Sequence, residues 1–269
     1  MTAMRIAIYV PASRLRKDPR YRAMVAELSS CELYEIAADE PLKEGTDMLL
    51  SIGGDGTFLS ACEVAGRSGV PVCGVNFGRL GFLSDCPPDK VAPALLSGKY
   101  VIEDREVLAS SIDGGPVRYA LNEIAVNRIG VAMIGVNVKV GDEALPTYWA
   151  DGLLVATSSG STAYSLSVGG PICTPDSRVI IISPIAPHNL NVRPLIVPSS
   201  SQITISFQSR DPKVAVSSDI RHETVGRDAV ISISVAQFSL RRVRLPETDF
   251  IVALKSKLFW GEDVRNGEL

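Results

Sequence analysis

Short apolar runs alternate with helical periodicity over the first hundred residues. The runs cover residues 6–10, 48–52 and 70–75, and helix-compatible stretches cover residues 21–28 and 58–66. Parallel strands that helices cover on both faces are continuously apolar instead of alternating. The pattern therefore predicts a doubly wound, Rossmann-like α/β domain over residues 1–101.

The pattern changes after about residue 100 to short strands separated by turns. Residues 202–207 and 229–235 alternate apolar and polar positions with period two, which is typical of strands with one buried face. An antiparallel β-sandwich over residues 102–248 is predicted, interrupted by one helical stretch at 161–168. Residues 249–269 begin as a helix and are expected to dock back on the first domain. The fold class is thus α/β followed by all-β.

Composition is that of an ordinary folded protein. Of the 269 residues, 46% are hydrophobic and 21% are charged, which is enough apolar material for two cores. The net charge of -3 gives no long-range attraction to nucleic acid or to an anionic membrane, so neither is expected as a partner.

The cysteines and the N-terminus indicate a cytoplasmic protein. The five cysteines are an odd number without a C-x-x-C pair, and they are expected to be reduced core residues. The first apolar run is too short for a secretory signal, and no run reaches the roughly 20 apolar residues of a membrane span.

The glycine-rich segment 53–57 is the first candidate site. Gly53, Gly54 and Gly56 let backbone N–H groups approach an anion, and the helix start beyond Thr57 favours negative charge. Asp55 inside such a phosphate cradle is predicted to be a proton acceptor or a metal partner. The alternative is a tight turn with a solvated aspartate.

A second glycine loop follows the next apolar run at residues 76–81. Asn76 and Gly78 begin it, and both loops follow predicted parallel strands. Because ligands of such sheets bind at the carboxyl ends of the strands, the two loops are expected to share one phosphate-binding site.

The adjacent pair Asn122-Glu123 is the next candidate. It lies in a strand-like segment, residues 119–127, where a bulge would be needed to aim both side chains at one ligand. An amide beside a carboxylate suits the two hydroxyls of a ribose. An ordinary exposed polar pair is the alternative.

The third group combines hydroxyls, small residues and aromatic rings. Trp149 and Asp151 precede the hydroxyl-rich stretch 157–164, which ends at Tyr164. Such a surface can hydrogen-bond a purine edge and stack on its face, although a Ser/Thr-rich loop that caps a helix is the competing interpretation.

These motifs, together with residues 187–194, resemble the NAD kinase family over nearly the whole chain. The Gly-Gly-Asp-Gly-Thr turn also occurs in diacylglycerol and sphingosine kinases, whereas the ordered set is similar to NAD kinases alone. The resemblance implies Mg²⁺-dependent transfer of the ATP γ-phosphate to the 2′-hydroxyl of the adenosine ribose of NAD, giving NADP and ADP. It also implies a homo-oligomer, a dimer or a tetramer.

The resemblance implies a role for each matching position. Asp55 would accept the proton, Asn122 and Glu123 would bind ribose hydroxyls, and Tyr164 would stack on NAD. The remaining residues that would surround the phosphates or the dinucleotide are Gly53, Gly54, Gly56, Thr57, Asn76, Gly78, Trp149, Asp151, Ser161, Thr162, Ala163, Ser165, Leu166, Ser167, Ala186 and His188. No protein metal site is implied, and the two histidines, His188 and His222, have no neighbouring cysteine that would suggest zinc.

The sequence departs from the family pattern at three places. Ser158-Ser159 replaces a stiffening proline-containing turn, and Ile220 stands after Asp219 where the family has glycine, although isoleucine avoids positive φ. Ser60 stands where many relatives carry a basic residue, and Arg79 is the proposed substitute for that phosphate contact.

Two other functions stay open at this point. A lipid kinase of the diacylglycerol or sphingosine type would use the same glycine turn but needs an apolar entrance. A dinucleotide-binding sensor would retain the pocket but lack turnover. The sequence leaves open whether ATP or polyphosphate is the donor.

Overall fold

A computed structural model describes residues 3–78 and 81–260. The chain divides into two compact units, Met1–Glu103 with Arg241–Leu269, and Asp104–Leu240. This division differs from the predicted boundaries of 101 and 248 mainly at the second one, because residues 241–244 belong to a strand in the sheet of the first unit.

The elements are these. The chain begins with β1 (Arg5–Tyr9), α1 (Pro19–Glu27), β2 (Glu32–Glu35), β3 (Met48–Ile52), α2 (Asp55–Ala65), β4 (Val72–Val75), α3 (Pro88–Ser97) and β5 (Val101–Arg105). It continues with β6 (Leu108–Ile112), β7 (Arg118–Ala120), β8 (Glu123–Arg128), β9 (Ile134–Val140), β10 (Glu143–Ala144), β11 (Tyr148–Ala150), β12 (Gly152–Thr157), α4 (Tyr164–Ser167), β13 (Val179–Ile185), β14 (Leu195–Pro198), β15 (Ile203–Gln208), β16 (Lys213–Ser218), β17 (Arg221–Gly226) and β18 (Ile231–Val235). It ends with β19 (Leu240–Arg244) and α5 (Phe250–Leu258).

The first unit is built on a six-stranded sheet in the order β2-β1-β3-β4-β19-β5. The pairs β1 with β2, β1 with β3, β3 with β4 and β4 with β19 are parallel. The carboxyl ends of these strands consequently meet at one edge of the sheet, where the two glycine loops lie.

Helices cover both faces of this sheet. Met48, Leu50 and Ile52 of β3 pack in one core with α1 and α3. The alternate positions face the other way, and Phe58 of α2 lies against Gly74 there, so closely that a Cβ at Gly74 would come within 2.8 Å of the ring. The doubly wound α/β prediction is therefore confirmed.

The second unit is a β-sandwich, as predicted. One antiparallel sheet has the order β10-β9-β15-β18-β6-β7, with β11 on β9, and the other has the order β14-β13-β12-β8-β16-β17. One apolar cluster contains inward residues of both sheets, such as Val136 and Ile205 of the first and Leu153 and Val216 of the second. Alternation along the strands places these residues inside, which is why period two was visible in the sequence.

Two helix predictions need correction. The stretch 161–168 is not one helix, because a 3₁₀ turn (Ser159–Thr162) ends at Ala163 and the four-residue α4 follows. The helix after the first glycine turn begins at Asp55 and not at Phe58. The predicted return of the C-terminal segment is confirmed as far as residue 260, because Phe250 of α5 contacts Phe82 of the first unit with 6.2 Å between ring centroids.

Within residues 3–78 and 81–260, no helix combines the length and apolarity needed to cross a membrane.

Candidate functional site

The first glycine turn joins β3 to α2, and the first N–H groups of α2 have no acceptor within the helix. Phe58 donates the first helical hydrogen bond, to the Gly54 carbonyl. The N–H groups of the helical residues before Phe58 therefore take part in no helical hydrogen bond. Gly53 cannot carry a side chain, because a Cβ there would come within 2.3 Å of the Thr57 hydroxyl oxygen. Gly54 and Gly56 are exposed and open, so an anion can approach the backbone here.

Asp55 is held by the loop that follows β4. Its Oδ2 accepts a hydrogen bond from the N–H of Phe82 at 2.8 Å, and its Oδ1 accepts from Leu83 at 3.1 Å and from Ser84 at 2.8 Å. Gly81 allows this approach, because a Cβ there would come within 1.8 Å of Oδ1. A carboxylate has about four acceptor positions, and the donors among the described residues fill three of them, which leaves one for a hydroxyl substrate.

The second glycine loop is braced from within. The Asn76 amide donates to the Ser84 carbonyl at 2.7 Å and accepts from the Gly78 N–H at 2.7 Å. Ser84 also donates its hydroxyl to the Gly53 carbonyl at 2.7 Å, which ties the two loops together. Asn76 thus shapes the loop around Asp55, and its side chain is already engaged.

The proposed exchange of a basic contact cannot be followed at Arg79, which lies outside the described residues. Ser60 donates its hydroxyl to the Gly56 carbonyl at 3.2 Å, one turn back along α2. Its hydroxyl hydrogen is therefore engaged by the backbone of α2 and is not available to a phosphate.

Two basic residues behind the Asp55 loop were missed by the sequence analysis. The guanidinium of Arg242, which is 2% exposed, pairs with Asp85 at 2.5 Å and with Glu103 at 2.9 Å, and it donates to the Leu83 carbonyl at 3.1 Å. Because Arg242 lies 159 residues after Leu83, no local motif announces this contact.

Lys257 is the second of these residues. Its ammonium lies 4.1 Å from the Phe82 ring, and its buried Nζ has no hydrogen-bond partner among the described residues. Burial lowers the pKa of Lys257 from 10.5 to about 8, as does the charge of Arg242, while the carboxylates of Asp55 and Asp85 oppose this shift. The Asp55 loop thus has a cationic side.

In the second unit, Asn122 and Glu123 lie where the chain passes from one sheet to the other. β7 pairs with β6 in the first sheet and β8 pairs with β12 and β16 in the second, so the segment 119–127, predicted to be strand-like with a bulge, is instead divided between two sheets. Asn122 is 7% exposed, and its Oδ1 and the Glu123 Oε2 are buried without a hydrogen-bond partner among the described residues. Buried polar atoms of this kind point to a ligand.

Asp219 fixes the backbone of this pair. Its Oδ2 accepts from the N–H of Leu121 at 2.7 Å, and its Oδ1 accepts from Asn122 at 2.9 Å and Glu123 at 3.0 Å. Asp219 has a φ of 50° in the two-residue turn between β16 and β17, whereas Ile220 has no positive φ. Ile220 is thus not forced into the positive φ that isoleucine avoids.

The Glu123 carboxyl has an unusual proton affinity. Burial raises the pKa of Glu123 from 4.5 to about 7, with a further rise from the Asp219 carboxylate, and the Tyr164 backbone N–H opposes this. Burial also raises the pKa of the Tyr164 phenol, and the charges of Glu123 and Asp151 add to it. Tyr164 therefore stands within electrostatic reach of both acidic site residues.

We expect Glu123→Gln to stabilise the protein above pH 7. Between pH 4.5 and 7 the folded state binds more protons at Glu123 than the unfolded state, so wild-type stability falls as the pH rises through this window. The gain for Glu123→Gln should be about 1–3 kcal/mol at pH 8 and should vanish near pH 4. Urea unfolding at both values measures it, with the exposed Glu143→Gln as control. An equal gain at both values would contradict this origin.

The hydroxyl-rich stretch is fixed by its own hydrogen bonds. Thr157 donates to the Leu121 carbonyl at 2.6 Å, and Ser158 donates to the Pro175 carbonyl at 3.0 Å. These bonds hold the turn that lacks the family proline. Gly160 lies against the Asn122 backbone, where a Cβ would come within 2.2 Å of the carbonyl oxygen.

The predicted binding residues of this stretch fall into two groups. Ser161 and Ser165 are fully buried, and Ser161 exchanges hydrogen bonds with the backbone of Cys173 at 3.1–3.2 Å. The partly or well exposed residues are Thr162, Ala163, Tyr164, Leu166 and Ser167. The second group presents side chains outward, whereas the Ser161 hydroxyl is engaged by the Cys173 backbone.

Asp151 lies at a second crossing between the sheets, between β11 and β12. Arg128 donates to it at 2.6 Å, which lowers the pKa of Asp151, and the charge of His188 acts in the same direction. Residues Arg128, Trp149, Asp151 and His188 line a cavity of about 860 Å³. Arg128 was not predicted, because nothing local to it marks it as the partner of an aspartate 23 residues later.

The group around Glu123 lies at one end of the paired strands β8 and β12, and the group around Asp151 lies at the other end. Glu123 pairs with Ala156, whereas Asn127 pairs with Gly152, next to Asp151. At about 3.3 Å per residue the two acidic residues are roughly 15 Å apart, which suits the two ends of a dinucleotide. Ala186, at φ 46°, and His188, whose N–H binds the Trp149 carbonyl at 2.8 Å, adjoin the Asp151 end.

Sequence comparison finds matches to two domain families. Residues 13–99 match the ATP-NAD kinase N-terminal domain and residues 121–245 match the ATP-NAD kinase C-terminal domain. The chain is 40% identical over 260 residues to the NAD kinase of Flavobacterium psychrophilum, covering 93% of this chain and 88% of that protein. It is 44% identical over 231 residues to the NAD kinase of Porphyromonas gingivalis, covering 84% and 80%.

Solved structures of similar fold include ligand complexes. The yeast NADH kinase complexed with NADH has a TM-score of 0.84 and 25% identity, covering all of this chain and 91% of that one. An Archaeoglobus fulgidus NAD kinase in complex with ATP has a TM-score of 0.76 and 28% identity, covering 95% and 99%.

Proposed function

The chain belongs to the NAD kinase family, and we propose that it transfers the γ-phosphate of ATP to the 2′-hydroxyl of the adenosine ribose of NAD. The observation that carries this proposal is the clamped Asp55 carboxylate, which lies at the N-terminus of α2 with acceptor capacity left for a hydroxyl.

The first unit is proposed as the donor-binding domain. The free N–H groups at the start of α2 and the open Gly54 and Gly56 suit phosphate oxygens. Thr57 borders this turn, and the loop of Asn76 and Gly78 holds its shape. Phosphoryl transfer depends mostly on positioning and on charge neutralisation, which this cradle and the cationic Lys257 supply.

The second unit is proposed as the NAD-binding domain. The orphaned oxygens of Asn122 and Glu123 suit ribose hydroxyls, since a hydroxyl can donate to each. Tyr164 is exposed enough to stack on a base, and Trp149, Asp151, Ala186 and His188 provide surfaces for the other half of the dinucleotide. Thr162, Ala163, Leu166 and Ser167 would border the same ligand.

Asp55 accepts the proton in the proposed reaction. A carboxylate is a far weaker base than an alkoxide, so the proton leaves the 2′-hydroxyl only as the new O–P bond forms. The three N–H groups on Asp55 fix its direction, which makes the remaining acceptor position a defined target for the hydroxyl hydrogen.

Mg²⁺ is proposed to enter with the nucleotide. Within the described residues, no group of three or more acidic, histidine or cysteine side chains could hold a metal ion. Mg²⁺ that enters with a nucleotide is held mainly by the substrate phosphates, where it neutralises their charge.

A cytoplasmic homo-oligomer is also proposed. All five cysteines are outside disulfides, which suits a reducing compartment. Val131 and Leu190 are 98% and 88% exposed in the second unit, and apolar side chains of this kind suit a contact with a second copy.

The matching families give no support to a lipid kinase, and the hydroxyl-fixed turn at Ser158 removes one reason for a sensor without turnover.

The test is to incubate the purified protein with ATP, Mg²⁺ and NAD and to read NADP with an NADP-specific dehydrogenase. Formation of NADP and ADP in equal amounts is expected. Binding of NAD without product would favour the sensor, and phosphorylation of diacylglycerol but not of NAD would favour the lipid kinase. Inorganic polyphosphate in place of ATP tests the donor.

A further inference from the structure

A cavity of about 430 Å³ lies in the first unit, at the carboxyl ends of β1 and β2. Its size falls in the range of small-molecule sites. Its wall is largely apolar, with Val10 and Ile36 almost fully buried. The complete lining is Tyr9, Val10, Pro11, Arg16, Glu35, Ile36, Ala37, Ala38 and Glu40.

The cavity lies beside the glycine turn in the same sheet. β1 pairs with β2 on one side and with β3 on the other, and Tyr9 is paired with Ser51, two residues before Gly53. Adjacent strands are about 4.8 Å apart, so roughly 5–10 Å separate the cavity from the phosphate cradle. Ligands of open α/β sheets bind outside the carboxyl ends of the strands, and the cavity lies at that edge, one strand away from the reversal of strand order between β1 and β3.

The charges of the cavity favour hydroxyls over phosphates. Arg16 donates from Nε and Nη2 to Glu35 at 2.8–3.2 Å, and Glu40 accepts from the Ala37 N–H at 2.9 Å. Two carboxylates against one guanidinium repel a phosphate group, but they can accept hydrogen bonds from a sugar. The Nη1 nitrogen of Arg16 takes no part in the pair with Glu35.

We propose that this cavity binds the nucleoside of the phosphoryl donor, while the phosphates of the donor lie at the glycine turn. The inference rests on the proposed function, because it takes ATP as the donor. The apolar wall around Ile36 packs on the base, Glu35 accepts from a ribose hydroxyl, and Arg16 turns its free nitrogen toward the first phosphate. Because the glycine turn is roughly 5–10 Å from the cavity, a nucleoside in the cavity can direct its phosphate chain toward the turn.

The first test fills the cavity with Ala37→Trp. Calorimetry measures the binding of ATP and of inorganic triphosphate, which has the phosphates but no nucleoside. We expect Ala37→Trp to weaken ATP at least tenfold and to leave triphosphate within twofold. Ala26→Trp, on the exposed side of α1, is the matched control and should change neither.

The outcomes separate cleanly. Unchanged ATP binding in Ala37→Trp would overturn the inference, as would equal weakening of ATP and triphosphate. A wild type that binds triphosphate as tightly as ATP would overturn it too, because the nucleoside would then contribute nothing.

Glu35→Gln is the second variant, which retains the shape of the side chain. It should weaken ATP about three- to tenfold but leave 2′,3′-dideoxy-ATP unaffected, because that ligand lacks the ribose hydroxyls. An equal effect on both ligands would assign Glu35 to the fold alone and contradict its role. This variant keeps the inference testable if Ala37→Trp fails to fold.

Failure of the proposed function would look different. In that case Ala37→Trp would weaken ATP binding relative to the wild type, but the wild type would form no NADP from NAD. If instead Ala37→Trp forms NADP with an unchanged KM for ATP, the NAD kinase activity is supported and the proposed nucleoside cavity is contradicted.

Discussion

Asp55→Asn is expected to lower kcat for NADP formation by about 10²–10⁴-fold, the usual contribution of a general base. The amide cannot take the proton of the 2′-hydroxyl. Its NH₂ group also meets a backbone N–H at either oxygen position, because Phe82 donates to Oδ2 and Leu83 and Ser84 donate to Oδ1. A loss of about 1–3 kcal/mol in stability should accompany the loss of turnover.

The design must separate these two effects. NAD binding, measured by fluorescence, should change far less than kcat, because Asp55 meets only the 2′-hydroxyl and the other proposed NAD residues lie in the second unit. Asp89→Asn is the matched control, since Asp89 is an exposed aspartate in the first turn of α3 and should retain full turnover. A rate for Asp55→Asn within tenfold of the wild type would remove Asp55 as the base.

Arg242→Met is expected to reduce the free energy of unfolding by about 3–5 kcal/mol, the typical cost of breaking a buried ion pair by removing one partner. The change leaves the carboxylate of Asp85, 5% exposed, without its guanidinium and removes the hydrogen bond to the Leu83 carbonyl. Glu103 retains Arg244 at 2.6 Å. Because Leu83 belongs to the loop that grips Asp55, kcat should fall as well.

Chemical denaturation measures this effect. The neighbouring Arg241 is exposed, so Arg241→Met is the control and should cost less than about 1 kcal/mol. Adding Asp85→Asn to Arg242→Met should recover part of the loss, because a buried neutral amide costs less than an unpaired charge. If Arg242→Met unfolds like the control, the ion pair contributes nothing to stability.

The proposed binding regions of the two units, each taken by itself, use the same arrangement of hydrogen bonds. Asp55 accepts three backbone N–H groups of one loop, and Asp219 accepts three of another. In the first case the carboxylate itself is the reactive group. In the second case the carboxylate positions its neighbours, Asn122 and Glu123, and its charge helps to raise the pKa of Glu123. Identical geometry therefore serves two different purposes.

Local sequence predicted much of the fold. The runs at β1, β3 and β4 are continuously apolar because both faces of these strands are buried. The residues of β15 and β18 alternate because only one face is buried, and each pattern is visible in adjacent residues. Asp55 and the Asn122-Glu123 pair were predicted from motifs that lie within a few adjacent residues. Glycines 53, 54 and 56 were found for the same reason.

Local sequence failed where distant segments meet. The strand predicted over 119–127 divides between two sheets, and the helix predicted over 161–168 breaks at Ala163. Nothing in the local helix or strand propensity of either segment marks the break. The position of the break is set by packing in the folded protein. Tertiary packing overrides local preference at such crossings.

The sequence by itself determined the two-domain fold, the glycine turn and the residue types of the candidate chemistry, because each depends on neighbours in the chain. Only the tertiary structure decided which groups hold that chemistry in place. Arg242 braces the Asp55 loop from 159 residues away, Asp219 binds the backbone of Asn122 from 97 residues away, and Lys257 reaches Phe82 from the last helix. These hydrogen bonds and charge interactions join residues that are far apart in the sequence, so no local sequence pattern predicts them.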